Sequence, residues 1–271
     1  MTIRPLDSST RFRWLGTAGI ELDAGDRTLA IDPFVTRPPL WRFLLGRVRP
    51  DRNVIAEVIG RCDYVLVSHP HYDHLLDVPE IARRTGAKVY GSPNTCRLAA
   101  ACGVLAQQIC EVGPGQALSL GPFTVEVLEA KHIKTPIDSL INGPLAPGLT
   151  PPLRLRDYRM DHCFSFRVLV DGTRILHSPG RAHPAEILLL GTHAPDSVYR
   201  SSLPAARPRA IVPIHWDDFL RPLAKPTREL PRHGGRDLEA FLQLINRLAP
   251  EARTFVPAIL RSYALADLLC V

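Results

Sequence analysis

The stretch that most narrows the folds open to this chain is Tyr64-Val65-Leu66-Val67-Ser68, followed at once by His69-Pro70-His71-Tyr72-Asp73-His74. A short apolar, β-branched run bounded by turn formers reads as a strand buried on both faces. Such a strand needs a sheet covered on each side, which points to a layered α/β architecture. Three imidazoles and a carboxylate at its mouth are costly to bury unless something compensates their polarity. In an extended segment residues two apart face the same way. His69 and His71 can therefore grip one point together, while Asp73 and His74, past a turn, address a second point beside it. Zinc accepts imidazole and carboxylate donors, and a catalytic zinc site keeps one position open for water.

The flanking sequence alternates strand and helix signals. Phe12–Gly16, Gly19–Asp23 and Thr28–Asp32 read as an antiparallel meander with a turn at Ala24-Gly25-Asp26. Helices are expected near 54–60, 78–84 and 93–102, with strands at 63–68, 87–90 and 108–112. The helix from Val78 has Pro79 in its first turn and Gly86 past its end. A Gly113-Pro114-Gly115 turn introduces a strand at 123–130 that runs into Lys131-His132. A second meander, 162–170 and 173–177, is joined by Asp171-Gly172. The apolar runs 187–190 and 210–214 follow, the latter delivering His215, and a helix near 236–248 and a strand at 254–260 close the chain. Two irregular regions stand out. One is the apolar insertion near 34–50, whose 34–45 segment reads either as a packed short helix or as a hydrophobic lid or membrane-touching loop. The other is a Pro- and Gly-rich loop at 133–160 expected to border a cleft. All 271 residues are read as one domain.

The order His-x-His-x-Asp-His after a hydrophobic strand resembles the signature of the metallo-β-lactamase superfamily. Trp14-Leu15-Gly16-Thr17-Ala18-Gly19 and Ile31-Asp32-Pro33 are similar to its opening strands, and Pro213-Ile214-His215 to its closing ligand. The likeness is nearest to the branch with ascorbate-phosphate lactonase-like and N-acyl-phosphatidylethanolamine phospholipase D-like proteins. It implies a four-layer αβ/βα sandwich with metal at the shared edge of two sheets. It also implies that His69, His71 and His132 bind a first ion, and Asp73, His74 and His215 a second. Asp32 resembles a supporting Asp of the family. One position departs: in Leu176-His177-Ser178-Pro179-Gly180-Arg181, Gly180 stands about where the family carries a metal-bridging Asp. Without that anion the second ion is held less well, so either one or two ions bind, and His177, Ser178, His183 or Asp161 are candidate replacements.

The function implied is a metal-dependent hydrolase, with Zn favoured and Mn or Fe as alternatives, cleaving an ester, lactone or phosphodiester in a small-molecule substrate. Asp73 would orient the attacking water and collect its proton. The 34–45 segment suggests a lipophilic part in the substrate, and Arg-rich loops a phosphate. Asp217 and Asp218 are candidates to hydrogen-bond ligand imidazoles or to cap a turn; His162 and His193 are candidates for substrate contact, and His233 for surface. The alternative is a degenerate member that binds metal or ligand without turnover. The charge of +6, from 33 basic and 27 acidic residues, comes without an aromatic-interleaved basic strip, so no nucleic acid is expected. No apolar run reaches the roughly 18 residues that span a bilayer. The first residues lack a signal-like apolar core, and six cysteines show no Cys-x-x-Cys pair. A cytoplasmic protein with reduced thiols is the expectation.

Overall fold

The computed structural model describes residues 10–39, 46–134, 137–178, 183–230 and 237–270. Fourteen strands are present among them: β1 (Arg11–Gly16), β2 (Gly19–Asp23), β3 (Thr28–Ile31), β4 (Tyr64–Leu66), β5 (Lys88–Gly91), β6 (Ile109–Glu111), β7 (Ala117–Leu120), β8 (Phe123–Glu129), β9 (Phe164–Val170), β10 (Thr173–Ser178), β11 (Ile187–Gly191), β12 (Ala210–Ile214), β13 (Arg253–Thr254) and β14 (Ser262–Ala264). The helices are α1 (Arg52–Val58), α2 (Tyr72–Leu75), α3 (Val78–Thr85), α4 (Pro93–Ala101), α5 (Asp138–Ile141), α6 (Asp196–Ala206) and α7 (Leu238–Leu248). The strands form two seven-stranded sheets, ordered β14-β1-β2-β3-β4-β5-β6 and β13-β12-β11-β10-β9-β8-β7. Each sheet is antiparallel at one side and parallel at the other: β3 to β6 run parallel, as do β10 to β13.

Three apolar layers account for this stacking. The inward faces of both sheets, with Trp14, Ile20, Val125, Phe166 and Val212, make the central core. Val65, Val67, Ile81 and Leu98 seal the first sheet against its helices, while Leu188, Tyr199, Phe241 and Ile245 do the same for the second. Strands buried on both faces occur only where layers lie above and below them, and β4 and β11 are of that kind. The result is the four-layer αβ/βα sandwich anticipated above.

Local signals placed most elements within a residue or two. Gly86 ends α3 at φ +78°, Ser92 caps α4 through the Thr95 N–H, and Asp237 caps α7 through the Ala240 N–H at 2.8 Å. Two expectations were wrong and one helix went unforeseen. The Gly113–Gly115 turn precedes β7, which pairs with β8 through Gly121-Pro122. Helix α6 had no forecast, because its Ser-rich sequence carries Pro204 inside and its stability comes from packing Tyr199 and Leu203 into the core. The expected strand at 254–260 does not form: β13 ends at Thr254 in the second sheet, the chain then passes Pro257 and Leu260 (φ +62°), and β14, beyond that range, joins β1 in the first. Of the 34–45 segment, residues 34–39 form no helix and Phe34 and Val35 are buried in the core; residues 40–45 lie outside the described residues. No helix among the described residues is long and apolar enough to cross a membrane.

Asp77 makes an unusual junction between that segment and α3. It is fully buried, and its Oδ2 accepts the Val35 and Thr36 N–H groups at 2.7 Å each, while Oδ1 has no hydrogen-bond partner. Burial pushes its carboxyl up from 3.8 to about 6. A carboxyl raised in the folded state contributes fully below its unfolded value and loses that contribution as pH climbs through the folded one, here from about pH 4 to above 6. The loss is about 3 kcal/mol at neutral pH. Asp77→Asn keeps an oxygen for both N–H groups and cannot ionise. It should raise stability by about 2 kcal/mol at pH 7.5 and leave it unchanged at pH 4, read by urea unfolding with chelator present.

Candidate metal centre

All six histidine and aspartate side chains singled out as ligands converge at one edge, where the parallel strands of both sheets end. β4 delivers His69, and the first turn after it is α2, with Asp73 and His74 in one helical turn. β8 runs into His132 and β12 into His215. Two backbone bonds lock the sheets together there: Phe164 N–H donates to Ser68 O at 2.8 Å, and His215 N–H to Thr17 O at 2.7 Å. Asp32 and His215 both adopt left-handed backbone, φ +47° and +60°, a strain that non-glycine residues keep only where surrounding structure enforces it.

The side chains fall into two adjacent sets. His69, His71 and His132 offer ligand atoms all within 4.8 Å of one another, and so do Asp73, His74 and His215. The His132 ring lies 4.8 Å from those of His69 and His71, His215 lies 5.8 Å from His74, and His69 and His74 are only 3.9 Å apart between the sets. In the second set Asp73 Oδ2 is 3.3 Å from His215 Nε2 and 3.6 Å from His74 Nε2.

The electrostatics suit cation binding. Burial first, then the neighbouring imidazoles, holds His69 well below its ordinary 6.5; burial likewise lowers His71, and takes His132 down to about 4. These rings are neutral at pH 7, the form that donates to a metal. Burial raises the Asp73 carboxyl, but His74 and His215 outweigh it and hold it below 3.8. His69 Nε2, His132 Nδ1 and His215 Nδ1 are buried without a hydrogen-bond partner. Orphaned imidazole nitrogens in such a cluster fit the donor set of a bound divalent ion.

Supporting residues fix the rings. Asp32, fully buried, accepts from Ser68 N–H at 2.7 Å and the Ser68 hydroxyl, and meets His74 Nδ1 at 2.8 Å; Ser68 Oγ in turn lies 2.9 Å from His69 Nδ1. That leaves His74 Nε2 turned toward Asp73. Asn142, from the 133–160 loop, places Oδ1 3.2 Å from His71 Nε2. An amide oxygen can only accept, so it holds the proton on Nε2 and keeps Nδ1 as the donor. Sequence reasoning missed Ser68 and Asn142. Adjacency to His69 could have flagged Ser68, but nothing local marks Asn142. Replacing it by Leu should lower affinity for one equivalent of Zn by about tenfold in chelator competition, with the fold unchanged by circular dichroism.

The remaining candidates divide. His177 and Ser178 line the same cavity, and His177 Nε2 donates to Ala18 O at 2.8 Å. His193 lines it too, its ring 5.9 Å from His215. His162 does not line the cavity; it stacks on Phe164 at 6.1 Å. Asp217 and Asp218 bond no ligand imidazole among the described residues. Asp217 accepts Thr17 N–H at 2.8 Å and pairs with buried Arg37 at 2.6 Å, and Asp218 pairs with Arg228. Gly16, at φ +93°, leaves the space that the Arg37 guanidinium fills. These two aspartates clamp the loop carrying His215 instead of touching its ring. Asp161 caps α4, accepting from Ser92 Oγ and Asn94 N–H. Gly180 and His233 lie outside the described residues.

The two sets sit at the floor of a cavity of about 490 Å³. A larger hollow of about 790 Å³, bordered by Arg49, Arg52, Arg83 and Pro151–Leu153, holds no histidine. The ligating chemistry places the site in the smaller one.

Comparison with known proteins agrees with this fold. The family described as a beta-lactamase superfamily domain matches residues 27–194. A UPF0173 metal-dependent hydrolase of Caldivirga maquilingensis is 26% identical over 265 residues, covering 90% of this chain and 93% of that protein. Igni18, a metallo hydrolase of Ignicoccus hospitalis, superimposes with TM-score 0.61 at 17% identity over 94% of this chain and 97% of its own. CmlA, a diiron beta-hydroxylase of Streptomyces venezuelae, gives 0.63 at 14% identity, with 97% of this chain and 55% of that one covered. At those identities the structural likeness speaks for the fold alone. With the family match spanning more than half its length, this chain belongs to the metallo-β-lactamase superfamily.

Proposed function

We propose that the chain is a cytoplasmic metal-dependent hydrolase, with Zn as the resident ion, that cleaves an ester, lactone or phosphodiester bond of a small molecule. The observation that carries this reading is the pair of adjacent three-residue sets, His69–His71–His132 and Asp73–His74–His215, with their ligand atoms within 4.8 Å. The Caldivirga relative, called a metal-dependent hydrolase, supports it. A divalent cation held by such sets supplies Lewis acidity, lowering the pKa of water from about 15.7 toward about 7 and polarising the group under attack.

The chain's own residues do the rest. His69, His71 and His132 bind in neutral form. Asp73, ionised and 13% exposed, accepts a hydrogen bond from the attacking water, orients it and takes up its proton at a carboxylate oxygen. Asp32 and Asn142 fix the tautomers of His74 and His71.

Elemental analysis of the purified protein, coupled to a screen of ester, lactone and phosphodiester substrates, tests the reading. The expected result is one or two equivalents of metal, activity abolished by chelator, and recovery with Zn or Mn. Turnover indifferent to chelation would overturn it. Metal bound tightly with no turnover of any substrate would favour the binding-only alternative, which Gly180 in place of a bridging carboxylate keeps in play.

A further inference from the structure

Above its polar floor the cavity is walled by Ile133, Ile137, Ile141, Val198, Phe219 and Leu220. No lysine or arginine is among the described residues that line it. Three nearby guanidiniums are engaged elsewhere: Arg37 with Asp217, Arg228 with Asp218, and Arg159 with the backbone carbonyl of Asn142. Asp73 carries the only carboxylate among the described residues that line the cavity. Ile137 continues the apolar wall outward and is 49% exposed, as is Leu140 beside it. An anionic headgroup would find no cationic side chain among the described lining residues, and a hydrocarbon chain would lie against apolar side chains.

The geometry points to a neutral carbonyl substrate, an ester or lactone bearing an apolar acyl chain that lies along Ile133, Ile137, Ile141, Phe219 and Leu220, in preference to a phosphodiester. This rests on the hydrolase reading above and narrows it. Among the described residues the apolar contact comes from Ile133, Ile137, Ile141, Phe219 and Leu220, while residues 40–45 of the 34–45 segment lie outside them. At roughly 30 Å³ per water-sized atom, about 490 Å³ holds about sixteen non-hydrogen atoms, enough for a medium-length acyl chain with its leaving group. Each methylene drawn onto an apolar wall is worth about fourfold in kcat/KM when the transition state is bound with it.

The test uses the Zn-loaded full chain and 4-nitrophenyl esters from acetate to hexanoate, with hexyl 4-nitrophenyl phosphate as the matched anionic diester. The kcat/KM should rise about fourfold per methylene, at least a hundredfold over the series, and the hexanoate should outrun the diester. Val198→Arg should flatten that slope. A flat series in the wild type, or a faster diester, overturns the inference. Calorimetric titration of the metal-free protein with N-phenylacetamide and N-phenylhexanamide separates the two claims. Tighter binding of the longer amide alongside no turnover of any substrate would leave the apolar pocket standing and the hydrolase reading refuted. Equal binding of the two amides would count against the pocket itself.

Discussion

Asp73→Asn should lower turnover by about a thousandfold, within the range assigned to a positioned general base, while the melting curve and circular dichroism stay those of the wild type. The reason is local. The carboxylate is ionised because His74 and His215 outweigh its burial, and its Oδ2 lies 3.3 Å from His215 Nε2 and 3.6 Å from His74 Nε2. An amide at this position keeps the shape but cannot take up the proton of an attacking water. It also offers a weaker donor to the second set, so Zn stoichiometry should fall by up to one equivalent when measured at micromolar free metal. Wild-type rates in this variant would remove Asp73 from the mechanism. Lost rates with full metal content would assign it to proton transfer alone.

The largest effect on stability is expected at Asp32. Asp32→Ala removes the acceptor for Ser68 N–H, the Ser68 hydroxyl and His74 Nδ1, all buried. Breaking a buried charge pair from one side costs about 3 to 5 kcal/mol, which urea unfolding with chelator present would read directly. The pH dependence has a defined sign. Asp32 is held below 3.8, because His74 outweighs its own burial, so its contribution is present above that value and lost as pH falls. Burial alone would lower His74, but Asp32 and Asp73 hold it above 6.5, so its contribution is present below that value and lost as pH rises through the folded pKa. In the metal-free protein the gap between wild type and Asp32→Ala should therefore be widest between about pH 4 and 6.5.

Asp32→Asn separates stability from chemistry. Its amide can donate to His74 Nδ1 where the carboxylate accepted, moving the ring proton to Nε2, the nitrogen facing Asp73. Most of the stability should survive while affinity at the second set drops by about 10- to 100-fold. A variant that keeps wild-type metal affinity would show that the Asp32–His74 bond does not set the tautomer.

The site was legible to the extent that it is written in contiguous residues or at strand ends. His69 to His74 follow a strand identifiable from its apolar run, and His132 and His215 each emerge from β8 and β12, so residues far apart in sequence could be expected at one edge. Asp32, before Pro33 at the end of β3, was legible in the same way. Forecasts failed where a residue's role depends on what the fold brings opposite it. Asp217 and Asp218 follow His215 closely enough to suggest support for its ring or a turn cap; Arg37 and Arg228, from distant segments, pair with their carboxylates, and Asp218 also accepts the Leu220 N–H at 3.1 Å, the capping alternative. His162 lies near the cleft in sequence, and its ring stacks on Phe164 outside it.

What the sequence by itself determined is most of the strands and their burial, because hydrophobic period and turn chemistry are local properties of consecutive residues; the six candidate ligands were named through the family resemblance that their motifs carry. Tertiary structure alone decided that Asn142 meets His71 across 71 positions, that β14 returns to pair with β1, and that Ile133, Ile137 and Ile141 wall the cavity. Those contacts arise from the closure of two sheets upon a shared core, a free-energy balance over the whole chain to which no short window of residues holds the key.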